Sequence, residues 1–390
     1  MVERIHAVFL APKATRLFLP GADADVFGGA EVQLFLLSRA LAQRDMAVSC
    51  LLRCPKDLAV ESLPLTADGV NLIWCAPCPH IRSIPGIRLV DAWRVTWRDL
   101  DRSAECFPNH SRIIIQRCGG ILTVQAGWYC RVRSVPFVFQ LASTKDSNGT
   151  VERQLGSIYG AMYRAAIRRA NLLVAQTIDQ QKQIRRRFGR DADLIRSIQT
   201  IPAQTENPRR GILWVGRSDR IKRPDLALDL AAALPDVPFI LVCPRAENTS
   251  PEVYDQLRRR AAELTNIQWI EGLSFDDADR LYPKVEILVN TSEQEGYPNT
   301  FIQATRVATP VVSFQVDPDG LLHAYGAGFC SQGDWNAFVN SCRSLLNNRR
   351  QWQDMSEHAY RMARAIHDAE ATAERYVHRF RQLIEKRAKT

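Results

Sequence analysis

The chain has no apolar run as long as the roughly 18 residues that a membrane-spanning helix needs. It also lacks the phosphate-loop pattern G-x-x-x-x-G-K-[ST] and the dinucleotide fingerprint G-x-G-x-x-G. Its seven histidines show neither i,i+4 spacing nor a serine or cysteine partner typical of a catalytic triad. These absences argue against an integral membrane protein, a P-loop NTPase, a Rossmann oxidoreductase and a triad hydrolase.

The N-terminus lacks the features of a secretory signal, because its apolar core is interrupted by Lys13 and Arg16 and no small-residue cleavage site follows. We interpret this segment as a first strand. Ten cysteines without such a signal predict free thiols in a reducing, cytoplasmic compartment. Cys75-Ala-Pro-Cys78 resembles a redox or zinc half-site, and Cys50-x3-Cys54 offers a second pair. No closed tetrahedral ligand set is evident, so no metal is predicted.

The net charge of +9 favours anionic partners, of which nucleotide sugars, anionic membrane and nucleic acid all qualify. Basic residues concentrate in the segments 164–169 and 182–187. Neither zinc-finger spacing nor an aromatic RNA-binding signature accompanies them. The sequence therefore predicts no nucleic-acid partner.

Strand-like and helix-like patterns alternate along a chain of 390 residues, a length that suits two domains. The first half begins with the apolar run Ile5–Leu10 and a helical pattern over Ala30–Ala42. The further strand candidates are Val48–Leu52, Val70–Trp74, Arg112–Gln116, Pro136–Leu141, Leu172–Ala175, Gly211–Val215, Phe239–Cys243, Ile267–Ile270, Val285–Asn290 and Pro310–Phe314. Strands separated by helices predict an α/β protein with parallel sheets.

The domain boundary is predicted in Arg190–Arg210, a polar stretch that contains two prolines. We therefore expect an N-terminal domain over 1–200 and a C-terminal domain over 208–360. The end of the chain, Asp334–Ala388, is expected to be helical throughout, with 361–390 forming a last helical segment.

The stretch Ile287–Phe314 indicates a short strand, a loop, a helix and a second strand. The loop carries Glu295-Gly296-Tyr297-Pro298-Asn299, and the helix carries Gln303. A Gly-containing loop that opens a helix directs backbone N–H groups at one spot, which suits an anion. An acidic residue beside that spot suits a phosphate joined to a hydroxyl-rich group such as a sugar. The alternative is an ordinary βα unit with an acidic loop.

A second motif lies in residues 211–225, GILWVGRSDRIKRPD. Arg217 at the end of a strand can fork two bonds to phosphate oxygens, and Lys222 supplies a mobile point charge. Both are placed to stabilise a departing diphosphate without a metal. The alternative is a basic loop exposed to water.

A third motif, Phe27-Gly28-Gly29-Ala30-Glu31, precedes the first predicted helix. Two glycines there allow a ligand close approach to the backbone, although a plain helix start is the alternative, with Glu31 as a capping residue. Asp23-Ala24-Asp25 resembles a DxD metal motif. We interpret it as part of a loop.

These three motifs together resemble family 4 glycosyltransferases of GT-B fold. Their usual donor signature is Glu-Gly-aromatic-Pro/Gly with a second Glu eight positions after the first, then Ala and a Gly-x-Pro-Val-Val strand. The chain departs from it at Gln303, where the family has Glu, and at Ala308-Thr309. The residues that fit are Glu295, Gly296, Tyr297, Pro298, Asn299, Ala304, Pro310, Val311 and Val312.

The resemblance implies two Rossmann-like domains facing across a cleft, with the last helix crossing back to the N-terminal domain. It implies a retaining glycosyltransferase that takes a nucleotide-diphosphate sugar without a cofactor. Arg217 and Lys222 would contact the diphosphate, Glu295 the sugar hydroxyls and Gln303 the ribose. Gly28 and Gly29, together with the backbone at Tyr297–Asn299, would complete the donor site.

The acceptor implied is a glycan or lipid-linked hydroxyl that enters from the N-terminal domain, in polysaccharide or other cell-surface glycan assembly. Two alternatives stay open: a nucleotide-sugar epimerase of the same fold, and a non-catalytic donor-binding protein. Gln303→Glu is expected to tighten donor binding, or to leave it unchanged if a nearby acidic residue already serves.

Many members of this family carry a His after the fifth N-terminal strand, and this chain has none there. Ser143, Lys145 or Asp146 would contact substrate in its place, or the loop is purely structural. The run Gln176-Thr177-x-x-Gln180 resembles a variant seen in polysaccharide-assembly members.

A membrane contact is a further expectation from the sequence. Apolar residues within Glu152–Ala170 fall on one helical face, flanked by Arg164, Arg168 and Arg169. Such a helix can rest on an anionic leaflet, or its apolar face can pack on the domain's own sheet.

Overall fold

The structure, a computed structural model, describes residues 4–19, 28–44, 46–55, 58–59, 62–75, 85–204 and 208–388; for 85–92 and 388 it describes the backbone alone. The chain forms two compact units. The first combines the described residues up to Arg196 with the segment that begins at Ala369, and the second runs from Ser197 to Asp368.

An eight-stranded sheet is the centre of the first unit. Its strands are β1 (Ile5–Leu10), β2 (Ala47–Arg53), β3 (Thr66–Ala67), β4 (Val70–Cys75), β5 (Ser111–Arg117), β6 (Phe137–Gln140), β7 (Leu172–Ala175) and β8 (Asp193–Leu194). The spatial order is β3-β4-β2-β1-β5-β6-β7-β8, and every pair is parallel except β3 with β4. All six residues of β1 are buried, as expected for a central strand covered on both faces.

Helices connect these strands as the alternating pattern predicts. They are α1 (Gly29–Ala42), α2 (Pro85–Cys106), α3 (Ile121–Val132), α4 (Thr150–Arg169) and α5 (Ile178–Phe188). Buried residues of β1, β5 and β6 form one core with residues of α3 and α4, among them Phe139, Tyr129 and Tyr163.

A six-stranded parallel sheet is the centre of the second unit. Its strands are β9 (Ile212–Val215), β10 (Phe239–Val242), β11 (Ile267–Ile270), β12 (Ile287–Asn290), β13 (Val311–Ser313) and β14 (Gly328–Cys330). The order is β11-β10-β9-β12-β13-β14. Its helices are α6 (Pro224–Ala233), α7 (Pro251–Ala262), α8 (Phe275–Asp279), α9 (Asn299–Thr305), α10 (Leu321–Tyr325), α11 (Trp335–Asn347) and α12 (Arg349–Ile366).

The last helix, α13 (Ala369–Ala388), belongs to the first unit. Its Tyr376 hydroxyl accepts a buried hydrogen bond from Gln140 Nε2 (3.1 Å), and Arg379 Nη2 donates to Asp193 (3.1 Å). The chain therefore returns to its first sheet after completing the second.

Three short strands, β3, β8 and β14, have no counterpart in the sequence analysis, because two or three residues give no usable periodicity. The expectation of unbroken helix over Asp334–Ala388 is wrong, because Asn348 and His367-Asp368 interrupt it. Asn348 has an extended backbone and caps the next helix, accepting from the Gln351 amide (3.1 Å).

The helical face proposed for a membrane lies mostly inside the first unit. Tyr163, Ala166 and Ile167 of α4 are buried, and Leu155 packs against the same core. Ile158 is the exception, with 72% of its surface exposed. No helix in the described part of the chain is long and apolar enough to cross a membrane.

His6 in β1 predicts a pH dependence of stability. Burial, with Arg112 and His110 adding to it, lowers the pKa of His6 from 6.5 to about 3. Below pH 6.5 the unfolded chain binds a proton that the folded chain refuses, so this stabilisation is present above pH 6.5 and is lost as pH falls toward the folded-state pKa. We expect the free energy of unfolding to drop by roughly 1.5 kcal/mol between about pH 6.5 and pH 5 from this residue alone.

Urea denaturation at these two pH values measures the drop, and His6→Leu provides the comparison. An equal pH dependence in wild type and variant would contradict the assignment to His6. Titratable groups that do not interact with His6 contribute to both proteins alike, so the difference between the two pH dependences reports His6 and its interaction with His110.

Candidate functional site

The strand order of the second sheet predicts where a ligand crevice lies. From β9 the chain proceeds outward through β10 and β11, then returns to place β12 on the other side of β9, with Leu288 beside Leu213. In open α/β sheets the crevice outside the carboxyl ends of the strands at such a reversal is the usual ligand site. The motifs that carry Arg217-Lys222 and Glu295 follow β9 and β12 respectively, so the fold brings them to this one point.

Buried hydrogen bonds fix the two loops to each other. Trp214 Nε1 in β9 donates to Thr291 Oγ1 (2.8 Å), and that hydroxyl lies 2.8 Å from the Lys222 carbonyl oxygen. The Glu293 amide donates to the Ile221 carbonyl (2.8 Å). The backbone around Lys222 is therefore held against the backbone that leads to Glu295.

The ammonium group of Lys222 forms an ion pair with the Glu295 carboxylate. The two side chains are 28% and 14% exposed, so the pair is partly screened from solvent but accessible. A cation and a carboxylate acceptor thus lie side by side, which is the arrangement expected of a site for a phosphate-linked sugar.

Arg217 lies on the same loop, and Asp219 orients it. Its Nη2 donates to Asp219 Oδ2 (3.1 Å), and Asn248 donates to the other oxygen of that carboxylate (3.2 Å). Arg217 remains 45% exposed, with most of its five donors available for phosphate oxygens.

The loop after β9 is also fixed from the side of β10. The Ser218 amide donates to the Pro244 carbonyl (3.0 Å), and the Ser218 hydroxyl accepts from the Ala246 amide (2.9 Å). Arg223 at the loop's end has a left-handed backbone (φ 51°) and pairs with Asp225 and Glu293. The Arg223 guanidinium is therefore used in ion pairs that stabilise the loop. The sequence of the basic motif alone does not reveal this role.

The residues after Glu295 mainly pack. Tyr297 is buried, and its ring lies 4.7 Å from that of His367 and 6.5 Å from Phe301. Gly296 and Pro298 complete the loop, and the seven-residue α9 begins at Asn299. A backbone contact to donor from this loop stays a prediction.

Gln303 lies in a buried polar cluster at the second turn of α9. It is 8% exposed, its Oε1 accepts from the Tyr282 hydroxyl (3.2 Å), and its Nε2 points to Asp279 Oδ1 at 3.4 Å. Asp279 also pairs with Arg306. The ribose contact of Gln303 therefore stays a prediction, and Asp279 is the acidic residue beside it.

This cluster changes what we expect of Gln303→Glu. A carboxylate would still accept from Tyr282, but it would lose the donor and face the like charge of Asp279. We expect a loss of about 1–3 kcal/mol in the free energy of unfolding. Gln303→Met removes both hydrogen bonds of the amide without adding charge and serves as the uncharged comparison in urea denaturation. A Glu variant as stable as wild type would contradict the expected repulsion by Asp279.

In the first unit, the sheet order reverses between β1 and β5, and Gly28 lies at the corresponding position. Gly28 precedes α1, whose first residue is Gly29. A Cβ at Gly28 would meet the Glu31 carboxylate, which is the movable end of a flexible side chain, so this contact alone does not require glycine. The closeness of the two residues fits a capping role for Glu31. Asp23, Asp25 and Phe27 lie outside the described residues, as do Cys78 and His80.

The loop after β6 is held by Asp146. Its buried carboxylate accepts from the amides of Gly119 (2.8 Å), Ala142 (2.6 Å) and Ser143 (3.0 Å). Burial raises the pKa of Asp146, while these hydrogen bonds act in the opposite direction. Asp146 therefore serves the backbone, and Lys145 remains exposed.

The Gln176-Gln180 motif is structural as well. Gln180 Oε1 accepts from the Gln176 amide (2.8 Å), and Gln176 Nε2 donates to the Leu141 carbonyl (2.8 Å). The motif thereby ties the end of β7 to the end of β6. Within the described residues no group of three or more potential metal ligands occurs.

Sequence reasoning missed Trp214, Thr291 and Asp219, which hold the site together. Their positions along the chain could have identified them, because all three lie in or just after the two strands that lead into the site. Trp214 lies within β9, Asp219 on the loop after it, and Thr291 directly after β12. A polar residue at the carboxyl end of a parallel strand deserves examination for that reason.

Part of the chain resembles a known protein family and curated relatives. Residues 209–348 match the family Glycosyl transferases group 1. The D-inositol 3-phosphate glycosyltransferases of Mycobacterium sp. strains KMS and JLS are each 29% identical over 148 residues, covering 35% of this chain. The match spans 33% of the length of those curated relatives.

Solved structures resemble nearly the whole chain. Sucrose-phosphate synthase from Thermosynechococcus elongatus has a TM-score of 0.76 at 16% identity, covering 98% of this chain and 100% of that one. Anabaena HepE in complex with UDP has a TM-score of 0.71 at 15% identity, covering 97% and 99%. The predicted α/β class with two parallel sheets is confirmed. Residues 209–348 thus resemble a glycosyl transferases group 1 domain, and the chain that contains them has the GT-B fold.

Proposed function

We propose that this protein is a retaining glycosyltransferase that moves a sugar from a nucleotide-diphosphate donor to a hydroxyl acceptor. The observation that carries the proposal is the Lys222–Glu295 ion pair at the β9/β12 reversal. The two residues are 73 positions apart in sequence. A cation and a carboxylate held there match the two halves of a sugar diphosphate.

Donor binding exchanges the partners of this ion pair. The diphosphate takes the Lys222 ammonium group, and hydroxyls of the sugar donate to the freed Glu295 carboxylate. Arg217 adds charge-assisted hydrogen bonds from the same loop. As the sugar–phosphate bond breaks, negative charge grows on the leaving diphosphate, and these fixed cations stabilise it. No metal or cofactor is required for this role.

Uridine diphosphate sugars are the first donors to test. Solved structures of the same fold include Anabaena HepE in complex with UDP-glucose, and trehalose-6-phosphate from Escherichia coli bound with UDP-2-fluoro glucose. The names of the curated relatives make D-inositol 3-phosphate one acceptor to include.

The test is incubation with a panel of nucleotide sugars, with and without acceptor, followed by measurement of free nucleotide diphosphate. A transferase releases nucleotide diphosphate faster with acceptor, and NMR of the product gives the configuration at the anomeric carbon. An epimerase converts the donor sugar without needing acceptor. A binding protein shows a thermal shift with nucleotide diphosphate but no conversion. Inverted configuration would contradict the retaining assignment.

The proposed setting is polysaccharide or other cell-surface glycan assembly in the cytoplasm, with a glycan or lipid-linked acceptor. A peripheral contact with anionic membrane would rest on the exposed Arg164, Arg168 and Arg169 rather than on the apolar face of α4, which is mostly buried. Flotation with anionic and neutral liposomes at low and high salt tests this contact.

A further inference from the structure

The first unit contains a cavity of about 990 Å3 that none of the donor-site residues line. Its walls come from four elements: the end of α1, the helix α5, the edge strand β8 and the helix α13. The volume is at the upper end of the range typical of small-molecule sites.

Arginine dominates the walls of this cavity. Among the described residues that line the cavity, four are arginines, Arg44, Arg375, Arg379 and Arg381, and two carry carboxylates, Asp193 and Glu374. Asp193 is neutralised by Arg379 in a close ion pair. The remaining positive charge is therefore in excess, which an anionic ligand would balance.

Two of the arginines are anchored from different walls. Arg44 Nη2 donates to the Glu370 carbonyl (2.6 Å), and Arg375 Nη2 donates to the Leu194 carbonyl (2.7 Å). Each bond uses one of the five donors of a guanidinium and fixes its position. The other donors of these two groups remain for a ligand, so the site is preorganised.

Arg381 completes the set. It is exposed, and within the described part of the chain it has no hydrogen bond or ion pair. Its charge therefore contributes nothing to the fold that the structure shows. Gln43 and Gln181 add amide groups to the same walls, and Gln181 Nε2 also holds the Ala192 carbonyl (2.6 Å).

We propose that this arginine-lined cavity is a second ligand site, which binds a phosphate group carried on a larger molecule. Guanidinium forks match the geometry of phosphate oxygens, and Arg44, Arg375 and Arg381 all line this cavity, the first two anchored from different walls. The cavity is larger than a phosphate ion needs, so the ligand carries further atoms. The phosphate comes either from a free metabolite or from a lipid headgroup.

The test uses the full chain with Lys222→Ala in every sample, so that the donor site does not obscure phosphate binding. Inorganic pyrophosphate is titrated by calorimetry. We expect Arg381→Gln to weaken its affinity about tenfold, as loss of a charge-assisted hydrogen bond does, and Arg44→Gln/Arg375→Gln to weaken it further. Arg364→Gln on α12 makes the same charge change at an exposed position outside the cavity and should leave affinity unchanged.

The double variant also loses two bonds to backbone carbonyls, so its unliganded melting temperature is measured alongside. Arg381→Gln loses none and keeps the test decisive if the double variant is unstable. Flotation with phosphatidylglycerol and phosphatidylcholine vesicles separates the two sources: binding to the former alone, lost in Arg381→Gln, identifies a lipid headgroup. Absence of binding to both pyrophosphate and phosphatidylglycerol, or affinities that the cavity variants do not change, would overturn the proposal.

Discussion

Lys222→Ala is expected to lower turnover of a nucleotide-sugar donor by roughly two orders of magnitude or more, the usual effect of losing one preorganised charge. Lys222 lies in the loop that follows β9, and the Thr291 hydroxyl donates a hydrogen bond to its carbonyl oxygen. Its charge matters most when the diphosphate departs, so the loss should fall mainly on kcat and less on KM. Steady-state kinetics with the donor identified by the panel measures both.

Arg220→Ala is the matched control for this variant. Arg220 belongs to the same short turn, carries the same charge and is exposed. Its loss should change turnover little. Wild-type turnover in Lys222→Ala, or an equal loss of turnover in the two variants, would contradict the assignment of Lys222 to the diphosphate site.

Glu295→Gln is expected to have opposite effects on binding and on turnover. In the unliganded protein the Glu295 carboxylate is paired with the Lys222 ammonium group. A nucleotide diphosphate must displace this carboxylate to bind Lys222. The amide releases Lys222, so UDP should bind at least as tightly as to wild type. Turnover should fall by about two orders of magnitude, because the sugar loses a charged acceptor for its hydroxyls.

Glu293→Gln makes the same substitution on the same loop, where the side chain is half-exposed and pairs with Arg223. It should leave both UDP affinity and turnover close to wild type. Calorimetry with UDP and turnover assays on the same preparations give the comparison. Weaker UDP binding in Glu295→Gln would show that Glu295 supports the nucleotide instead of the sugar.

The sequence was sufficient to predict the strands of both sheets except β3, β8 and β14, and the two loops that carry the site. Strands such as Leu172–Ala175 and Ile267–Ile270 are short apolar runs between helical patterns, a local signal. The ion pair of Lys222 with Glu295 is not local. It depends on β12 lying next to β9, and that pairing is decided by the packing of the whole sheet.

Other features depend on tertiary contacts that no pattern reports. Asp146 could not be recognised as a backbone acceptor, because its partners come from the separate segments at Gly119 and Ala142. Gln303 is equally ambiguous from sequence, since Tyr282 and Asp279 lie on other elements. The apolar face of α4 fits a membrane or a core equally well until its neighbours are known.

The return of α13 to the first unit has a consequence for biosynthesis. The ribosome delivers every residue of the second unit, from Ser197 to Asp368, before Tyr376 and Arg379 can reach their partners on β6 and β8. Domains usually mature in the order of translation, N-terminal first. Because α13 is translated last, the N-terminal unit of this chain cannot complete its fold until the whole second unit has been synthesised.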